Sequence, residues 1–513
     1  MTAGYRLHES RIAARLTQAE LAARAGVSRA LIAICLVTAG LLVPFAARSA
    51  PGEPASSTAA APEQKVVPTE SNATAPAVFK PTETADAILH AENVSWGRQL
   101  HEALRLPDWL DFGVDHRTRF EYLDDPWRPG ESQKQTQVAQ RSRVRIGIDA
   151  PAGIRVLGEF QDARIFNDRP NDFTSNEVDH LDVLQLFVSA TRKNLFGHGL
   201  RVDGHAGRLT LDLGSRRLLA RNDFRNTVNA FDGVHFQLGS DARSWRVRAF
   251  YTFPVAVRNG DLMNNRFSGR RRFWGVVFED LRNPWLQLDA YYLGLEDLPG
   301  NRSYRTYGLR AYRRPAPSQI DYEGELDAQF GERGSTTQGT RDQSAWMAHA
   351  ELGYTFGVAW APRLAAQFDY ASGSGDPSDD DSHSFDPLFN ARRADLMPTG
   401  IFGPFRRTNI LSPGVRVGLL PAKTVRLDLK VRHWMLDQAR DAFAGSGLSD
   451  PTGDAGRDLG TDFELRARWD PAEWLGFDVG YDHWWKGRYL NEVANARTHG
   501  DSDYFYAQSR VRF

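Results

Sequence analysis

The sequence predicts an all-β fold, a transmembrane antiparallel β-barrel of about eighteen strands with short periplasmic turns and long extracellular loops. Three observations lead to this prediction. Apolar and polar residues alternate in short segments from about Trp109 to Phe513, the connectors are alternately short and long, and the last segment ends on an aromatic residue. Such strands offer one face to lipid and one to enclosed water, and closure removes unpaired edges. We therefore expect a pore in the cell outer membrane.

The composition fits a barrel and identifies no partner by charge. The chain has 513 residues, with 63 Lys and Arg against 64 Asp and Glu. Its mean hydropathy of −0.47 excludes a bundle of membrane helices but not a barrel, whose lumen and loops are polar. The single cysteine, Cys35, cannot form an internal disulfide.

Residues 1–50 are predicted to be a secretory signal segment with an unusually long amino-terminal part. The apolar run Ala30 to Ala47 follows several arginines and precedes small residues through Ala50, which is typical of a segment that is removed. Leu16 to Ser28 resembles the first helices of a repressor-type helix-turn-helix, but the apolar run replaces the rest of that domain. We therefore favour a misassigned start or chance over DNA binding and expect no nucleic-acid partner.

Residues 51–108 are predicted to join the signal segment to the barrel, which takes residues 109–513. Pro51 to Thr84 is rich in Pro, Ala, Ser and Thr and lacks a hydrophobic pattern, so we expect a flexible linker. Residues 85–106 have helical spacing and end before Pro107. We interpret them as a short helix that either connects the linker to the barrel or plugs the lumen.

The strand prediction depends on individual alternations. Between Arg141 and Asp149, Ser142 and Ile148 point to one side, while Arg143 and Arg145 point to the other. An Arg or Lys on the lipid face would cost about 2–4 kcal/mol at the bilayer midplane, so the charged side is predicted to line the lumen. The same pattern recurs in Trp245 to Phe253, Tyr322 to Phe330, Val425 to Arg432, Phe463 to Trp469 and Tyr504 to Phe513.

The connectors give an independent indication of the same fold. Tight turns are predicted at residues 150–153, 239–242, 420–423 and 470–473. Long connectors are predicted at residues 167–180, 257–272, 372–407, 437–458 and 487–501. In bacterial barrels the short turns lie on the periplasmic side and the long loops outside, and an even strand number places both barrel ends on the periplasmic side.

The richest candidate for function is the segment from Gly207 to Thr227, GRLTLDLGSRRLLARNDFRNT. Alternation predicts that its leucines, Leu209, Leu211 and Leu213, face lipid while Arg208, Thr210 and Asp212 face the lumen. After Gly214 the chain enters a loop that carries Arg216, Arg217, Arg221 and Arg225, and we expect this loop to fold inward. The planar guanidinium suits carboxylates because it donates two parallel hydrogen bonds and keeps its charge. Alternatively, these arginines pair with luminal Asp and Glu and brace the wall.

This segment, together with FDYASGSGDPSDDDSHSFDPLF at residues 368–389, resembles the alginate-export family of outer-membrane barrels. The resemblance implies an eighteen-stranded barrel whose arginine-lined constriction conducts an acidic polysaccharide outward. It carries over to Arg208, Arg216, Arg217, Arg221 and Arg225, while Arg143, Arg145, Arg246 and Arg248 are added from alternation alone. The acidic row from Asp321 to Asp327 and the long amino-terminal extension depart from the pattern and leave the solute open.

The sequence therefore predicts a channel that passes an alginate-like anionic polysaccharide or a smaller anionic solute, without enzymatic activity, cofactor or metal. We expect it to contact outer-membrane lipid and the barrel assembly machinery, since a final strand ending in Phe513 resembles an assembly signal. A nutrient-uptake porin for small molecules is the alternative within this fold. A less favoured alternative is an outer-membrane hydrolase, which needs a nucleophile beside a base. His349 near Glu351 and His483 after Asp482 are interpreted as structural.

Overall fold

The computed structural model describes residues 101, 103–167, 174–335, 339–376, 379–393, 395–494, 496 and 500–513. The predicted signal segment, the linker and nearly all of the predicted helix at residues 85–106 lie outside the described residues. In the described part of the chain, no helix is both long and apolar enough to cross a membrane.

Twenty strands follow one another, and two of them, β8 and β15, contain only two residues each. The strands are β1 (Leu110–Asp124), β2 (Lys134–Ala150), β3 (Ile154–Asn167), β4 (Asp179–Leu195), β5 (Leu200–Leu209), β6 (Phe231–Ser240), β7 (Trp245–Ala256), β8 (Arg266–Phe267), β9 (Arg271–Asp280), β10 (Gln287–Asp297), β11 (Arg302–Arg313), β12 (Gln319–Ser335), β13 (Gly339–Thr355), β14 (Arg363–Ala371), β15 (Asp381–Ser382), β16 (Ile410–Ala422), β17 (Val425–Met435), β18 (Asp458–Ala472), β19 (Leu475–Lys486) and β20 (Ser502–Arg512). A single helical turn, α1 (Arg488–Glu492), precedes β20.

The eighteen long strands, twenty minus the two short ones, form a closed antiparallel barrel. Each long strand pairs with its neighbours along the chain, and β20 closes the ring by pairing with β1 from Asp115 opposite Arg512 to Asp124 opposite Asp503. The predicted all-β barrel is thus confirmed. Closure leaves no edge with unpaired backbone groups, which is the condition for crossing lipid with strands.

The two faces of the wall differ as the alternation predicts. Along β1, Asp115, Arg117 and Arg119 are buried inside, while Val114 and Phe120 turn outward. Large apolar side chains such as Leu326, Leu352 and Val415 are exposed on the outer face of the isolated chain, where the bilayer covers them.

The short turns and long loops segregate to opposite ends of the barrel, with two exceptions. Residues 151–153 join β2 to β3, and residues 423–424 join β16 to β17, at the end where the barrel begins and ends. On the opposite side, residues 298–301 connect β10 to β11, and β13 begins at Gly339 soon after β12 ends at Ser335. These two connectors are therefore short where the pattern predicted long ones.

Two of the long loops fold into the lumen and pack there: loop A, residues 210–230, and loop B, residues 372–409. Leu209, Leu211 and Leu213 are almost wholly buried with loop B residues such as Phe385 and Phe402 in one apolar cluster. The prediction that these leucines face lipid is therefore wrong. The reason is that the phase of β5 places Leu209 on the inward face, and after Leu209 the chain leaves the strand and turns inward with Leu211 and Leu213.

Candidate functional site

Loops A and B form a single unit inside the barrel. Leu219 and Phe389 make a parallel β-bridge. The amide of Ala220 donates to the carbonyl oxygen of Phe389 (3.0 Å), and the amide of Phe389 donates to the carbonyl oxygen of Leu218 (2.9 Å). The amide of Ala391 donates to the carbonyl oxygen of Arg216 at 3.0 Å. The position of one loop therefore fixes the position of the other.

An apolar contact holds this unit against the wall. The ring of Phe389 in loop B packs edge-on against Phe231 of β6 (5.1 Å between centroids) and Phe273 of β9 (4.9 Å). Further along loop B, Phe405 stacks on Trp434 of β17 at 3.9 Å. Aromatic pairs of this kind contribute about 0.5–1.5 kcal/mol each beyond the area they bury.

Polar contacts anchor loop A to β1, β2 and β20. Arg117 donates to the carbonyl oxygen of Asp223 at 2.7 Å. The carboxylate of Asp223 lies 3.0 Å from Arg141, 3.2 Å from Arg143 and 3.1 Å from Arg510. Burial by itself would raise the pKa of Asp223, but these three guanidinium groups lower it well below its ordinary value. Asp223 thus stays ionised and holds the loop.

The opposite side of the unit is anchored through the acidic row of β12. Arg217 of loop A bonds to Glu323, to Glu325 (2.5 Å) and to Asp395 of loop B (2.8 Å). Asp395 also accepts from Arg407 at 2.6 Å. For Arg217 and the acidic row, the structure therefore shows the wall-bracing arrangement that was the alternative to a solute site.

A recess opens beside the unit, and its lining contains more arginines than carboxylates. Six arginines and two aspartates line it: Arg117, Arg216, Arg393, Arg466, Arg468, Arg510, Asp223 and Asp478, together with Asn222, Phe224, Ala391 and Gln508. The empty space is about 580 Å³, including the part that is open to the lumen. Because loops A and B supply some of these residues and the wall supplies the rest, the recess exists only when the loops are docked.

The predicted site residues reach this recess unequally. Arg216 lines it, and Arg143 lies next to it through Asp223. Arg145 pairs with Asp111 (3.2 Å), Arg221 with Glu159 (3.6 Å), Arg225 with Asn229 (2.9 Å), and both Arg246 and Arg248 with Glu279 (2.5 and 2.9 Å). Asp212 accepts from Arg216 and from the amide of Arg221, so it shapes loop A from within.

The observed position of Arg208 differs from the one predicted for it on β5. Arg208 is two residues after Ala206 and therefore lies on the same, exposed side of β5. Its cross-strand neighbour Leu186 is also exposed on the outer face. Its guanidinium bonds to Asp232 at 2.8 Å. The predicted luminal position is wrong because the strand places Leu209 inside and Arg208 on the other side.

Five arginines of the recess were not among the predicted site residues: Arg117, Arg393, Arg466, Arg468 and Arg510. Alternation had already placed Arg466, Arg468 and Arg510 on polar strand faces, so a signal existed for them. Arg393 lies in loop B, where no period predicts direction. The convergence of four strands and two loops on one recess has no local signature in the sequence.

Other chemistry has little support among the described residues. No three His, Cys, Asp or Glu side chains in this part of the chain come together as a metal site. His349 contacts Asp369 (2.9 Å) and His483 contacts Asp503 (2.8 Å), so both pair with a carboxylate other than the one suggested by sequence proximity.

The closed barrel with loops folded into its lumen defines the class of protein: a β-barrel channel of the cell outer membrane. The Alginate export family model matches residues 108–501, and the chain belongs to this family. A search of curated proteins found no match.

Solved structures from Pseudomonas aeruginosa share the fold. OpdQ has a TM-score of 0.52 at 12% identity, with 80% of this chain and 99% of that chain covered. OccK8 (OprE) has a TM-score of 0.51 at 14% identity, with 79% and 98% covered. OccK2 (OpdF), solved in complex with glucuronate, has a TM-score of 0.50 at 13% identity, with 79% and 98% covered.

Proposed function

We propose that this channel passes an alginate-like anionic polysaccharide, or a smaller anionic solute, through the arginine-lined recess beside loops A and B, without covalent chemistry. The observation that carries the proposal is the excess of six arginines over two aspartates in the recess. A uronate chain carries one carboxylate per sugar, and each carboxylate matches the two parallel donors of a guanidinium.

The recess geometry bears on whether these charges can select. At physiological ionic strength a charge acts over about 8 Å in water, so arginines on the wall of an open eighteen-stranded pore would select weakly. Loops A and B bring Arg216 and Arg393 toward the wall arginines Arg466 and Arg468. The solute therefore meets several cations at short range.

Carboxylates outside the lining also pair with recess arginines: Arg216 with Asp212 (3.3 Å), Arg393 with Glu464 (2.6 Å) and Arg468 with Asp428 (3.1 Å). The recess arginines are therefore partly compensated, and the carboxylates within the lining are themselves shared. Asp223 forms ion pairs with Arg141, Arg143 and Arg510. Asp478 forms an ion pair with Arg466 (2.5 Å) and accepts a hydrogen bond from Tyr506 (3.0 Å). Several partly compensated sites favour entry without trapping, because each binds an anion weakly enough to release it to the next. Family membership supports the polysaccharide, and the glucuronate bound by OccK2 is a uronate of the same chemical class.

The test is ion selectivity in planar bilayers. The Arg216→Gln/Arg466→Gln/Arg468→Gln variant is expected to lower the anion-to-cation permeability ratio several-fold at about 0.1 M salt, where screening still permits charge selection. Each single change, Arg216→Gln, Arg466→Gln and Arg468→Gln, is compared with the control Arg246→Gln, which removes one positive charge from the lumen wall outside the recess while Arg248 still holds Glu279 at 2.9 Å. Equal ratios in the triple variant and wild type would contradict the proposal.

Uptake of small anions is the second candidate, and one observation favours it. Loops A and B form a continuous apolar core inside the lumen, which narrows the path for a polymer. Current block by oligouronates of increasing length separates the two functions. Transient block that persists for long oligomers supports polymer passage, whereas permeation restricted to mono- and disaccharides supports uptake.

The hydrolase alternative has two places among the described residues where a hydroxyl lies beside an imidazole. In one, Thr461 Oγ1 lies 3.0 Å from Nδ1 of His433, whose Nε2 is 3.6 Å from Asp458; the other is formed between β1 and β2. Ser142 Oγ lies 2.9 Å from Nδ1 of His116, which would be a nucleophile beside a base. The other ring nitrogen contacts the hydroxyl of Thr118 at 3.1 Å rather than a carboxylate, and all three side chains are on the outer face at mid-strand. Turnover of lipid esters that is lost in Ser142→Ala would support this activity over the channel.

A further inference from the structure

One region of the outer face is polar at a depth where the rest is apolar. We call it the lateral polar patch. It consists of His116 and Thr118 on β1, Gln140 and Ser142 on β2, Asp162 and Arg164 on β3, and Ser509 on β20. All have outward parity, since the residues between them, such as Arg117, Arg141 and Gln161, are buried inside.

The strand register makes the patch continuous. His116 lies opposite Ser142, and Ser142 lies opposite Asp162. One step further, Thr118 lies opposite both Gln140 and Ser509, and Gln140 lies opposite Arg164. Neighbouring residues in such rows have Cβ atoms about 4.5–5.5 Å apart, so four adjacent strands share one polar surface.

On β1 the patch lies at mid-strand, within the hydrocarbon region, and on β3 it extends toward the loop end of the strand. His116 is near the middle of β1, with Phe112 and Val114 toward the short-turn end and Phe120 and Tyr122 toward the loop end on the same face. Polar and charged side chains that face hydrocarbon are costly, and the cost for an Arg is greatest at the midplane.

Some polar side chains of the patch form hydrogen bonds with each other, and others have no such partner in the described part of the chain. His116 contacts Ser142 (2.9 Å) and Thr118 (3.1 Å), and Nε of Arg164 donates to Asp162 at 2.9 Å. The side-chain amide of Gln140 and the hydroxyl of Ser509 have no hydrogen-bond partner within the described residues. A polar group in this position lacks water, so a protein partner is the available source of hydrogen bonds.

The opposite wall shows what lipid exposure alone produces. On β11 to β13 the corresponding outward residues are Leu309, Leu326 and Ala348, which lie in register. Leu309 and Leu326 are 57% and 64% exposed, so the outer face in this row is apolar.

We propose that the lateral polar patch is the contact surface for a second copy of this chain, in a dimer whose two-fold axis runs along the membrane normal. An isologous contact requires a surface that complements itself. The patch does so: it offers an anion beside a cation, and hydroxyl, imidazole and amide groups that both donate and accept. Rotation about the axis brings Arg164 of one copy toward Asp162 of the other.

The neighbouring side chains permit close approach. Ala507 on β20 and Gly158 on β3 flank the patch on the outer face, and Ser142 and Ser509 within it are small. Small residues let two membrane elements approach until polar groups meet, whereas the bulky Leu326 surface across the barrel would hold backbones apart.

The first test uses complementary charge variants in bilayer nanodiscs. Wild type is expected to be dimeric by mass, while Asp162→Arg and Arg164→Asp each carry two like charges and are expected to dissociate at least about tenfold more readily. Co-expression of the two variants with different tags is expected to recover a heterodimer. A monomeric wild type, or variants that remain dimers by themselves, would overturn the proposal.

The second test covers the case in which a charged variant does not fold. Gln140→Leu/Ser509→Ala replaces unsatisfied polar groups with apolar ones, so the barrel is expected to retain its heat-modifiable gel mobility while its dimer weakens. In a Cys35→Ser background, Thr118→Cys is expected to form a dimer in membranes when a flexible bis-maleimide cross-linker is added, because Thr118 lies two strands from the β3 contact, and Leu326→Cys is the control. Equal cross-linking at both positions, or none at Thr118→Cys, would show that only lipid covers the patch.

Discussion

Asp223 shows how one residue can serve both the structure and the charge of the recess. Its carbonyl oxygen accepts from Arg117 and Arg141, and its carboxylate contacts Arg141, Arg143 and Arg510. It is also one of only two anions that line the recess. The same contacts that dock loop A therefore neutralise part of the positive charge offered to a solute.

Replacing Asp223 by Asn is expected to increase anion selectivity. The backbone carbonyl oxygen of residue 223 still accepts from Arg117 and Arg141, and Arg217 still joins loop A to Glu325 of β12. The loop is therefore expected to stay docked at neutral pH, although less tightly, while one negative charge disappears from the recess. The reversal potential measured across a salt gradient is expected to shift toward the equilibrium potential of the anion. Asp232→Asn, which removes the charge paired with Arg208 away from the recess, is expected to leave the reversal potential unchanged. A shift of equal size in both variants would assign the effect to overall charge.

Gly207 is a residue whose backbone position tolerates no side chain. Its φ is +132°, and an added Cβ would lie 2.3 Å from the carbonyl oxygen of Leu186 and 2.8 Å from the Cα of Phe187. It lies near the end of β5, just before the chain turns into loop A.

Gly207→Ala is therefore expected to destabilise the barrel by about 1–3 kcal/mol, because the backbone must shift at a strained position. Gly204→Ala on the same strand is the control, since a Cβ there meets no atom within 4 Å. Urea unfolding from lipid vesicles measures both. A midpoint for Gly207→Ala equal to that of Gly204→Ala would show that the strand end relaxes freely.

At the scale of elements, loops A and B depend on a very short ladder. One β-bridge and three amide-to-carbonyl hydrogen bonds, from Ala220, Phe389 and Ala391, join them. The wall contacts of each loop are made separately, through Asp223 for loop A and through Phe405 for loop B. Side chains also join the loops, through Arg217 with Asp395 (2.8 Å) and through Asn229, which donates to the carbonyl oxygen of Phe389 (3.2 Å). Breaking the ladder should therefore loosen the contact between the loops without unfolding the barrel.

Ala220→Pro is expected to raise single-channel conductance and its noise, because proline lacks the amide that donates to Phe389. Ala220→Gly keeps this amide and is the control, expected to resemble wild type more closely. Unchanged conductance in Ala220→Pro would show that the ladder does not limit the path.

At the scale of the whole molecule, the lumen is stabilised by opposite charges on different strands and loops. Arg407 of loop B meets Asp369 of β14 (3.3 Å), and Arg393 meets Glu464 of β18 (2.6 Å). Because the arginines keep their charge across the accessible pH range, acid acts on this network through its carboxylates.

Docking of loop A is expected to persist from neutral pH to about pH 4 and to weaken below it. The pKa of Asp223 is lowered in the folded chain, so its contribution is fully present above the ordinary carboxyl pKa of about 3.9. It is lost as pH falls through the folded value. Single-channel noise recorded against pH is expected to rise below about pH 4 in wild type. In Asp223→Asn this part of the pH dependence should disappear; an identical profile would assign the transition to other carboxylates.

The sequence by itself determined the barrel. Period-2 alternation in segments such as Arg141 to Asp149 is a local property, because each strand must separate an apolar face from a charged one wherever lipid and water lie on opposite sides. Strand number, the inward position of Arg246 and Arg248, and the segregation of most turns and loops followed from it.

Only the tertiary structure decided what occupies the lumen. The phase of β5 changed the sides of Arg208 and Leu209, and the leucines of loop A, which read as lipid-facing, proved to pack inside. Some arginines converge on the recess, and others pair with acidic neighbours. This division depends on contacts between residues more than a hundred positions apart, such as Arg217 with Glu325. Alternation assigns a residue to a face of the wall, but the partner it meets across the lumen is set by closure of the barrel and docking of the loops.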